Sequence, residues 1–246
     1  MPSKMKANAK PFPFFSLPSE LRIRIYELVL SVPSPIDLTP TNYREIAPLL
    51  GVFLVSRRMH AEAYHVFYGC NTFRLFPVNG RFFHTKKPLT VRLAPKYRAA
   101  LTSLDVRLGP GFTKPPRSWV VSAQLGLNDM VNVRLLKVFV EVDPASSDIF
   151  EGFRVSKVFY TQFSRDLIKG VFEQVKSIED VEFDAFESVA PDCPLMQALL
   201  EECQAAGKKV LWGSQRGWFT TESDPILQLD QSMSLLHLGN ESVVVH

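Results

Sequence analysis

Residues 133–143 read VRLLKVFVEVD, a short apolar run with the spacing of a buried β-strand. Three further stretches also read as strands: LTSLDVRL (101–108), VKSIEDVEFDAF (175–186) and KKVLWG (208–213). The runs at 101–108, 133–143 and 175–186 share one pattern, in which a leucine or isoleucine is followed by alternating apolar positions. Residues 101–213 are therefore predicted to contribute four short strands to the fold.

Helical patterns lie between these strands. One spans about residues 159–174 and the other 194–206, where Leu195, Leu199 and Cys203 recur at i, i+4 and i+8 and Gly207 can close the helix. Strand and helix in alternation predict an α/β fold with mainly parallel strands joined by crossovers. The strand starts are about 30 to 42 residues apart, so an irregular leucine-rich-repeat-like region and a plain α/β domain are both open.

The N-terminal part begins with helical signals. Ser16 and Pro18 mark a helix start, and Leu21, Ile25, Leu28 and Val29 then form one apolar face. The residues between them, Arg22, Arg24 and Glu27, fall off this face and can be solvated. The stretch 31–47 contains three prolines and is predicted to be a loop.

A second and a third helix are predicted before the first strand. APLLGVFLV (47–55) is apolar nearly all round, which indicates a buried helix. Ser56 can cap a helix over 57–68, with Gly69 at its C-terminus. TFRLF (72–76) then alternates like a strand. The leader, 1–10, and the tail, 220–246, lack a regular pattern, and we expect both to be loose.

Recognisable catalytic motifs are missing from the sequence. It contains no Gly-rich phosphate loop, no GxSxG elbow and no HExxH pair. His60 and His65 are five residues apart and do not share a helix face, and Cys193 has no histidine nearby in sequence. We therefore expect no catalytic residues, no metal, no cofactor and no enzymatic activity.

A cluster of carboxylates lies in IEDVEFDAFE. On a strand, Asp180, Glu182 and Asp184 would share one face at a period of two. They could bind a metal or a cationic partner, or they could form the solvated side of a strand whose other side is buried. We favour the solvated side, with Val181, Phe183 and Ala185 buried.

Composition narrows the class of protein. The chain has 246 residues, 46% apolar, with a net charge of +3. No stretch approaches the roughly 20 apolar residues of a membrane span. Residues 1–120 contain eighteen Lys and Arg against six Asp and Glu, and residues 121–246 contain ten against nineteen. The basic half could bind nucleic acid or an acidic partner, or it could pair with the acidic half of its own chain.

The N-terminal region, about residues 12–76, resembles a group of fungal proteins with an F-box-like or two-ExR type domain. It carries a Leu-Pro start, a Glu-Leu-Arg step, and a later segment rich in Arg, Glu and aromatic residues. The matching positions are Leu17, Pro18, Glu20, Leu21, Arg22, Ile25, Tyr26, Glu27, Leu54, Ser56, Arg57, Glu62, Ala63, Phe67, Tyr68, Asn71 and Phe73. The match covers less than a third of the chain.

The resemblance implies a protein-interaction role. An F-box docks on the adaptor subunit of a cullin-type ubiquitin ligase, and a repeat domain behind it recruits the substrate. The implied partner-binding residues are Leu17, Pro18, Leu21, Ile25 and Leu28, and the implied structural residues are Glu20, Arg22, Glu62 and Asn71. The sequence departs from an F-box in the long 31–47 loop and in the charged Arg57-Arg58…Glu62 segment.

The expected organisation follows from these patterns. We expect a disordered leader (1–10), F-box-like helices (11–76) packed on an irregular β/α region (77–219), and a flexible tail (220–246). The alternative is one integrated α/β domain that binds protein or, less favoured, nucleic acid through its basic half. Three sparse cysteines indicate a cytoplasmic or nuclear protein without a disulfide framework.

Overall fold

The structure, a computed structural model, describes residues 12–37, 39–78, 88–146 and 148–218. The predicted leader, 1–10, and tail, 220–246, lie outside the described residues. The helices are α1 (Ser19–Leu30), α2 (Pro40–Ile46), α3 (Arg57–Cys70), the one-turn helices α4 (Leu89–Arg92) and α5 (Pro95–Arg98), α6 (Phe159–Gln174) and α7 (Pro194–Ala205). The strands are β1 (Thr72–Arg74), β2 (Ser103–Leu108), β3 (Leu135–Val140), β4 (Asp180–Ala185) and β5 (Lys209–Trp212).

The five strands form one parallel sheet in the order β1-β2-β3-β4-β5. Each strand therefore pairs with the next one along the chain, and successive strands are added in one direction. Because crossovers between parallel strands are right-handed, this order places the connecting segments on one face of the sheet. The predicted α/β class, the strand positions and the parallel pairing are confirmed.

The two faces of the sheet differ in burial. In β3 and β4 the residues alternate between half-buried and buried along the whole strand. Leu136, Val138 and Val140 point to the buried face, where they are in register with the buried residues of β4. The other face carries mainly polar side chains, with Leu135 and Phe139 among them. The sheet thus has one face in the core and one face open to solvent.

The N-terminal helices are joined to this sheet. Ile36 forms a parallel bridge with Phe73, with its N–H donating to the Thr72 carbonyl at 2.8 Å and its carbonyl accepting from the Arg74 N–H at 2.9 Å. Helix α3 therefore lies in the connection between this bridge and β1. One cluster of buried apolar residues runs from Tyr26 to Cys203. Residues 12–76 and the strand/helix region that follows share this sheet and this core.

The 31–47 segment is only partly a loop. Residues 40–46 form α2, so the prediction of a loop over the whole stretch is wrong. Pro40 occupies the first helical position, where a missing N–H costs nothing, and the Thr39 hydroxyl accepts from the Asn42 N–H at 3.4 Å. The prolines that suggested a loop thus include one that starts a helix.

The apolar 47–55 stretch is not a buried helix. It forms a 3-10 turn over Leu49–Leu54 in which no residue is buried, and Leu54 and Val55 are 88% and 65% exposed. A 3-10 helix rarely extends beyond a turn or two, and here Ser56 ends it by capping α3. Leu54 and Val55 therefore lie outside, whereas the other apolar side chains of the turn (Leu49, Leu50, Val52 and Phe53) are partly buried against the core.

Helix ends follow the capping rules at some of the predicted places. The Ser56 hydroxyl accepts from the Met59 N–H at 3.1 Å, and Gly207 closes α7 with φ of +64°. Helix α1, however, begins at Ser19, and Ser16 belongs to a preceding 3-10 turn. Gly69 lies inside α3, which ends at Cys70. No helix among the described residues is long and apolar enough to cross a membrane.

Candidate functional site

Helix α1 buries an unexpected face. Its buried residues are Arg22, Tyr26 and Leu30, with 8%, 2% and 0% of their surface exposed. The sequence places Arg22 off the apolar face, where it could be solvated, but in the structure it is buried. The reason is the partner helix: α3 presents Glu62 to α1, so the inner position needs a cation rather than an aliphatic side chain. Arg24 does lie outside, paired with Glu27 at 2.9 Å.

A small ion-pair network joins α1 to α3. The Arg22 guanidinium donates two bonds to the Glu62 carboxylate, at 2.8 and 2.9 Å, and a third to the Leu17 carbonyl. Arg58 and the Tyr26 hydroxyl also donate to Glu62, at 3.2 and 3.4 Å. The hydrogen bonds from Arg22 hold the pKa of Glu62 below its ordinary value, and burial raises the pKa of Tyr26.

Glu20, the other implied structural carboxylate, lies outside this network. It is exposed in the first turn of α1, and no ion pair to it is found among the described residues. Its pKa is lowered mainly by a hydrogen bond from its own backbone N–H. Glu20 therefore stabilises the helix start and does not link the helices.

A pH-dependent contribution to stability follows from Glu62. A carboxyl whose pKa is lowered on folding stabilises the fold above its unfolded pKa of about 4.3, and this contribution is lost as the pH falls through the folded pKa. We expect Glu62→Gln to be less stable than the natural protein near neutral pH, with the difference narrowing towards about pH 3. Urea unfolding across this range measures it. Glu45→Gln, at an exposed position of α2, is the control; an equal pH response in both variants would contradict the assignment.

Asn71 connects three segments beside this network. Its side-chain amide donates to the carbonyls of Leu30 and Phe67, at 2.8 and 2.9 Å, and its side-chain oxygen accepts from the Val32 N–H at 2.8 Å. The residue is 2% exposed. It therefore satisfies the last carbonyls of α1 and α3 and sets how the two helices end against β1.

The outer face of α1 carries the implied partner-binding side chains. Leu21, Ile25 and Leu28 are 53%, 36% and 72% exposed. Leu17 is half-buried, and Pro18 is exposed at the position before the helix. Viewed along the helix axis, residues 21, 25 and 28 lie within an arc of about 60°. Around the same axis, Leu21 is about 100° from the buried Arg22, and Ile25 is about 100° from the buried Tyr26. An aliphatic stripe is thus presented to solvent; we call Leu21, Ile25 and Leu28 the α1 stripe.

The acidic strand β4 has the solvated arrangement that the sequence favoured. Val181, Phe183 and Ala185 are buried, and Asp180, Glu182 and Asp184 share the open face. The Lys137 ammonium donates to Glu182 at 2.9 and 3.1 Å, and Asp184 accepts from the backbone N–H groups of Gln215 and Arg216. No cluster of three metal-ligating residues exists in the described part of the chain.

The same open face carries a buried carboxylate on β2. Asp105 is 5% exposed and accepts from the Arg74 guanidinium at 2.6 Å, while Arg74 also bonds Asp37 at 3.0 Å. Burial raises the pKa of Asp105, and the Arg74 charge opposes that rise. A cleft of about 240 Å³ lies here, and four of the charged side chains that line it form two pairs, Arg74 with Asp105 and Lys137 with Glu182. They stabilise the sheet surface by mutual neutralisation.

The candidate nucleophiles are held in unreactive settings. Cys193 and Cys203 are buried, and burial raises the pKa of each thiol to about 12. His65 is exposed, whereas His60 is half-buried and bonded through Nε2 to the Tyr97 hydroxyl at 2.8 Å. The other three histidines lie outside the described residues. No thiolate–imidazole pair is formed by these side chains.

Some of the opposite charges on the two halves of the chain pair with each other. Arg98 pairs with Asp129 at 2.6 Å, and Arg107 pairs with Glu141, so two cations of the basic half bond carboxylates of the acidic half. Arg107 also lies over the Phe139 ring at 4.6 Å. The basic half therefore pairs in part with the acidic half of its own chain, through contacts between neighbouring strands and turns.

One feature was missed from the sequence, an aromatic groove of about 410 Å³ beside α3. His60, Tyr64 and Tyr68 line it at i, i+4 and i+8, which places them on one side of the helix. This spacing was available in the sequence. The partner rings come from α2, the 49–54 turn and α5, and no local pattern indicates that these segments meet.

Comparison with known proteins assigns no family: no family model, no curated protein and no solved structure matches the chain. The F-box-like resemblance therefore stays a prediction. The α1 stripe and the aromatic groove are two surfaces of the described residues that the packing of the fold does not explain.

Proposed function

We propose that the protein is a non-catalytic interaction module that docks a partner protein through the α1 stripe. One observation carries the proposal: Leu21, Ile25 and Leu28 are exposed while an arginine occupies the inner face of the same helix. A helix normally turns its aliphatic side towards the core. Here the buried residues are an arginine, a tyrosine and one leucine, Leu30, and the other aliphatic side is left for another surface.

The stripe is large enough to support binding. Full burial of an exposed leucine or isoleucine contributes about 1.5 to 3 kcal/mol, and partly exposed side chains contribute less. Three such residues on successive turns can act as anchors for an apolar groove, at the i, i+4 and i+7 positions that helix-in-groove recognition uses. Helix α1 is firmly held from behind by Arg22 and Tyr26, so binding orders little of the chain.

The adaptor subunit of a cullin-type ubiquitin ligase is the partner we propose. The Leu-Pro start and the exposed α1 stripe support it, and the parallel sheet behind the helices would then recruit the target. Integration of α3 into the crossover before β1 departs from a separate F-box module. The three free cysteines are consistent with the cytoplasmic or nuclear location that this proposal requires.

Co-purification of the full chain with the adaptor subunit tests the proposal. We expect the natural protein to bind and the variant Leu21→Gln/Ile25→Gln/Leu28→Gln to bind at least tenfold more weakly, which is 1.4 kcal/mol or more. Its unfolding temperature should change little, because the replaced side chains are solvent-exposed. Calorimetric titration and thermal unfolding measure the two quantities.

Ile23→Gln is the matched control. Ile23 is 46% exposed on the same helix but lies about 160° from Ile25 around the axis, so its replacement should leave binding unchanged. Equal weakening by the control and the triple variant would remove the α1 stripe from the proposal. If the natural protein does not bind the adaptor and instead binds DNA or RNA with an affinity that falls steeply with salt, the basic half is the functional surface.

A further inference from the structure

The aromatic groove is a concave surface separate from the α1 stripe. Its wall contains six ring-bearing side chains from four segments of the fold, Tyr43, Phe53, His60, Tyr64, Tyr68 and Tyr97. Its volume of about 410 Å³ is in the range of small-molecule sites. Helix α3 supplies its floor, and α2, the 49–54 turn and α5 surround it.

The rings of the groove hold one another in place. Tyr68 and Tyr97 are stacked with ring centroids 5.0 Å apart, and Tyr64 meets Tyr97 edge-on at 5.4 Å. His60 bonds the Tyr97 hydroxyl at 2.8 Å and contacts the Phe53 carbonyl at 3.3 Å. Burial raises the pKa of Tyr68 to about 12, so its hydroxyl is neutral at ordinary pH. The groove is therefore a preformed aromatic surface.

Charge at the groove has one sign. The Lys96 ammonium lies 4.7 Å from the centre of the Tyr97 ring and 5.6 Å from that of Tyr64. No aspartate, glutamate or arginine lines the groove. A cationic ligand would meet Lys96 already placed on the tyrosine faces and no carboxylate to offset the repulsion.

We propose that the groove binds a small planar aromatic molecule that carries a carboxylate. Tyr68 is already stacked on Tyr97 and Phe73, so the ligand ring meets these side chains at their edges, an edge-to-face contact that favours a flat π-system over a branched aliphatic one. Lys96 does not line the groove, but its ammonium lies over the rings of Tyr97 and Tyr64, which do, so a carboxylate held beside these two rings can pair with it. The proposal does not depend on the α1 stripe, since no residue of α1 lines the groove.

Three probes with the same ring system test the charge preference: 1-naphthoate, 1-naphthalenemethanol and 1-naphthylmethylammonium. Each probe is titrated into the full chain, and its affinity is measured by calorimetry or from the NMR signals of the groove tyrosines. We expect naphthoate to bind about three- to fivefold more tightly than the neutral probe, as suits one exposed ion pair, and the cationic probe to bind most weakly.

Two variants separate the parts of the site. Lys96→Gln should remove the preference for naphthoate and leave the neutral probe unaffected, whereas Tyr64→Leu should weaken all three. Lys114→Gln, at an exposed lysine in the 109–118 loop, should change nothing. Lys96 is itself exposed, so its variant is expected to fold even if Tyr64→Leu does not. Absence of naphthoate binding, equal binding of neutral and anionic probes, or tightest binding of the cation would each overturn the proposal.

Discussion

Replacing Asn71 with alanine is expected to destabilise the fold by about 3 kcal/mol. The side chain is buried and serves three backbone groups at once, the carbonyls of Leu30 and Phe67 and the N–H of Val32. Alanine cannot replace any of these bonds, and each buried group left without a partner costs about 1 to 3 kcal/mol. The ends of α1 and α3 should loosen together.

Urea unfolding of the full chain measures this change, with Asn132→Ala as the matched control. Asn132 is exposed and makes one hydrogen bond, to the Ala99 carbonyl at 2.7 Å, so its loss should cost under about 1 kcal/mol. Because Asn71 orients the end of α1, its variant should also weaken partner binding through the α1 stripe. A cost no greater than that of Asn132→Ala would show that Asn71 does not join the helices.

Replacing Phe183 with alanine is expected to destabilise the protein by about 4 kcal/mol. Phe183 is fully buried at the centre of β4, in register with Val138 on one side and Trp212 on the other. Its ring centre is 6.2 Å from that of Trp212. Removing the ring leaves a cavity under the middle of the sheet, and flanking parallel strands with fixed backbone bonds cannot collapse to fill it.

Phe186→Ala provides the comparison from the same stretch of chain. Phe186 lies just beyond β4, is 40% exposed and meets the Phe139 ring edge-on at 5.0 Å. Its loss should cost about 1 kcal/mol, mainly in aromatic contact. Chemical denaturation with unchanged m-values would report both costs. A similar loss in the free energy of unfolding for the two variants would mean that burial of apolar side chains under the sheet is not a main source of stability.

Much of the sheet could be predicted because its information is local. The alternation in 180–185 states which side chains of β4 are buried, and the i, i+4, i+8 spacing of Leu195, Leu199 and Cys203 states which side of α7 faces inward. Strands that alternate with helices admit few arrangements other than parallel pairing. The Ser56 cap was likewise readable, since a cap involves groups only three residues apart.

The α1 helix shows where local patterns do not suffice. The sequence identifies Leu21, Ile25 and Leu28 as one face of a helix, but spacing does not say whether that face meets a core or solvent. The answer lies 40 residues away, where Glu62 on α3 bonds Arg22 and turns the opposite face inward. The same limit applies to the aromatic groove, since Tyr97 reaches His60 only in the folded chain.

The sequence by itself determined the five strands, their parallel pairing, the buried side of β4 and helices α1, α3, α6 and α7, because those properties depend on neighbours along the chain. The tertiary structure alone decided which side of α1 is exposed, that α3 belongs to the crossover before β1, and that rings from four segments form one groove. These outcomes depend on contacts between residues far apart in sequence, whose energies no periodicity encodes. The two surfaces proposed for function, the α1 stripe and the aromatic groove, both belong to this second group.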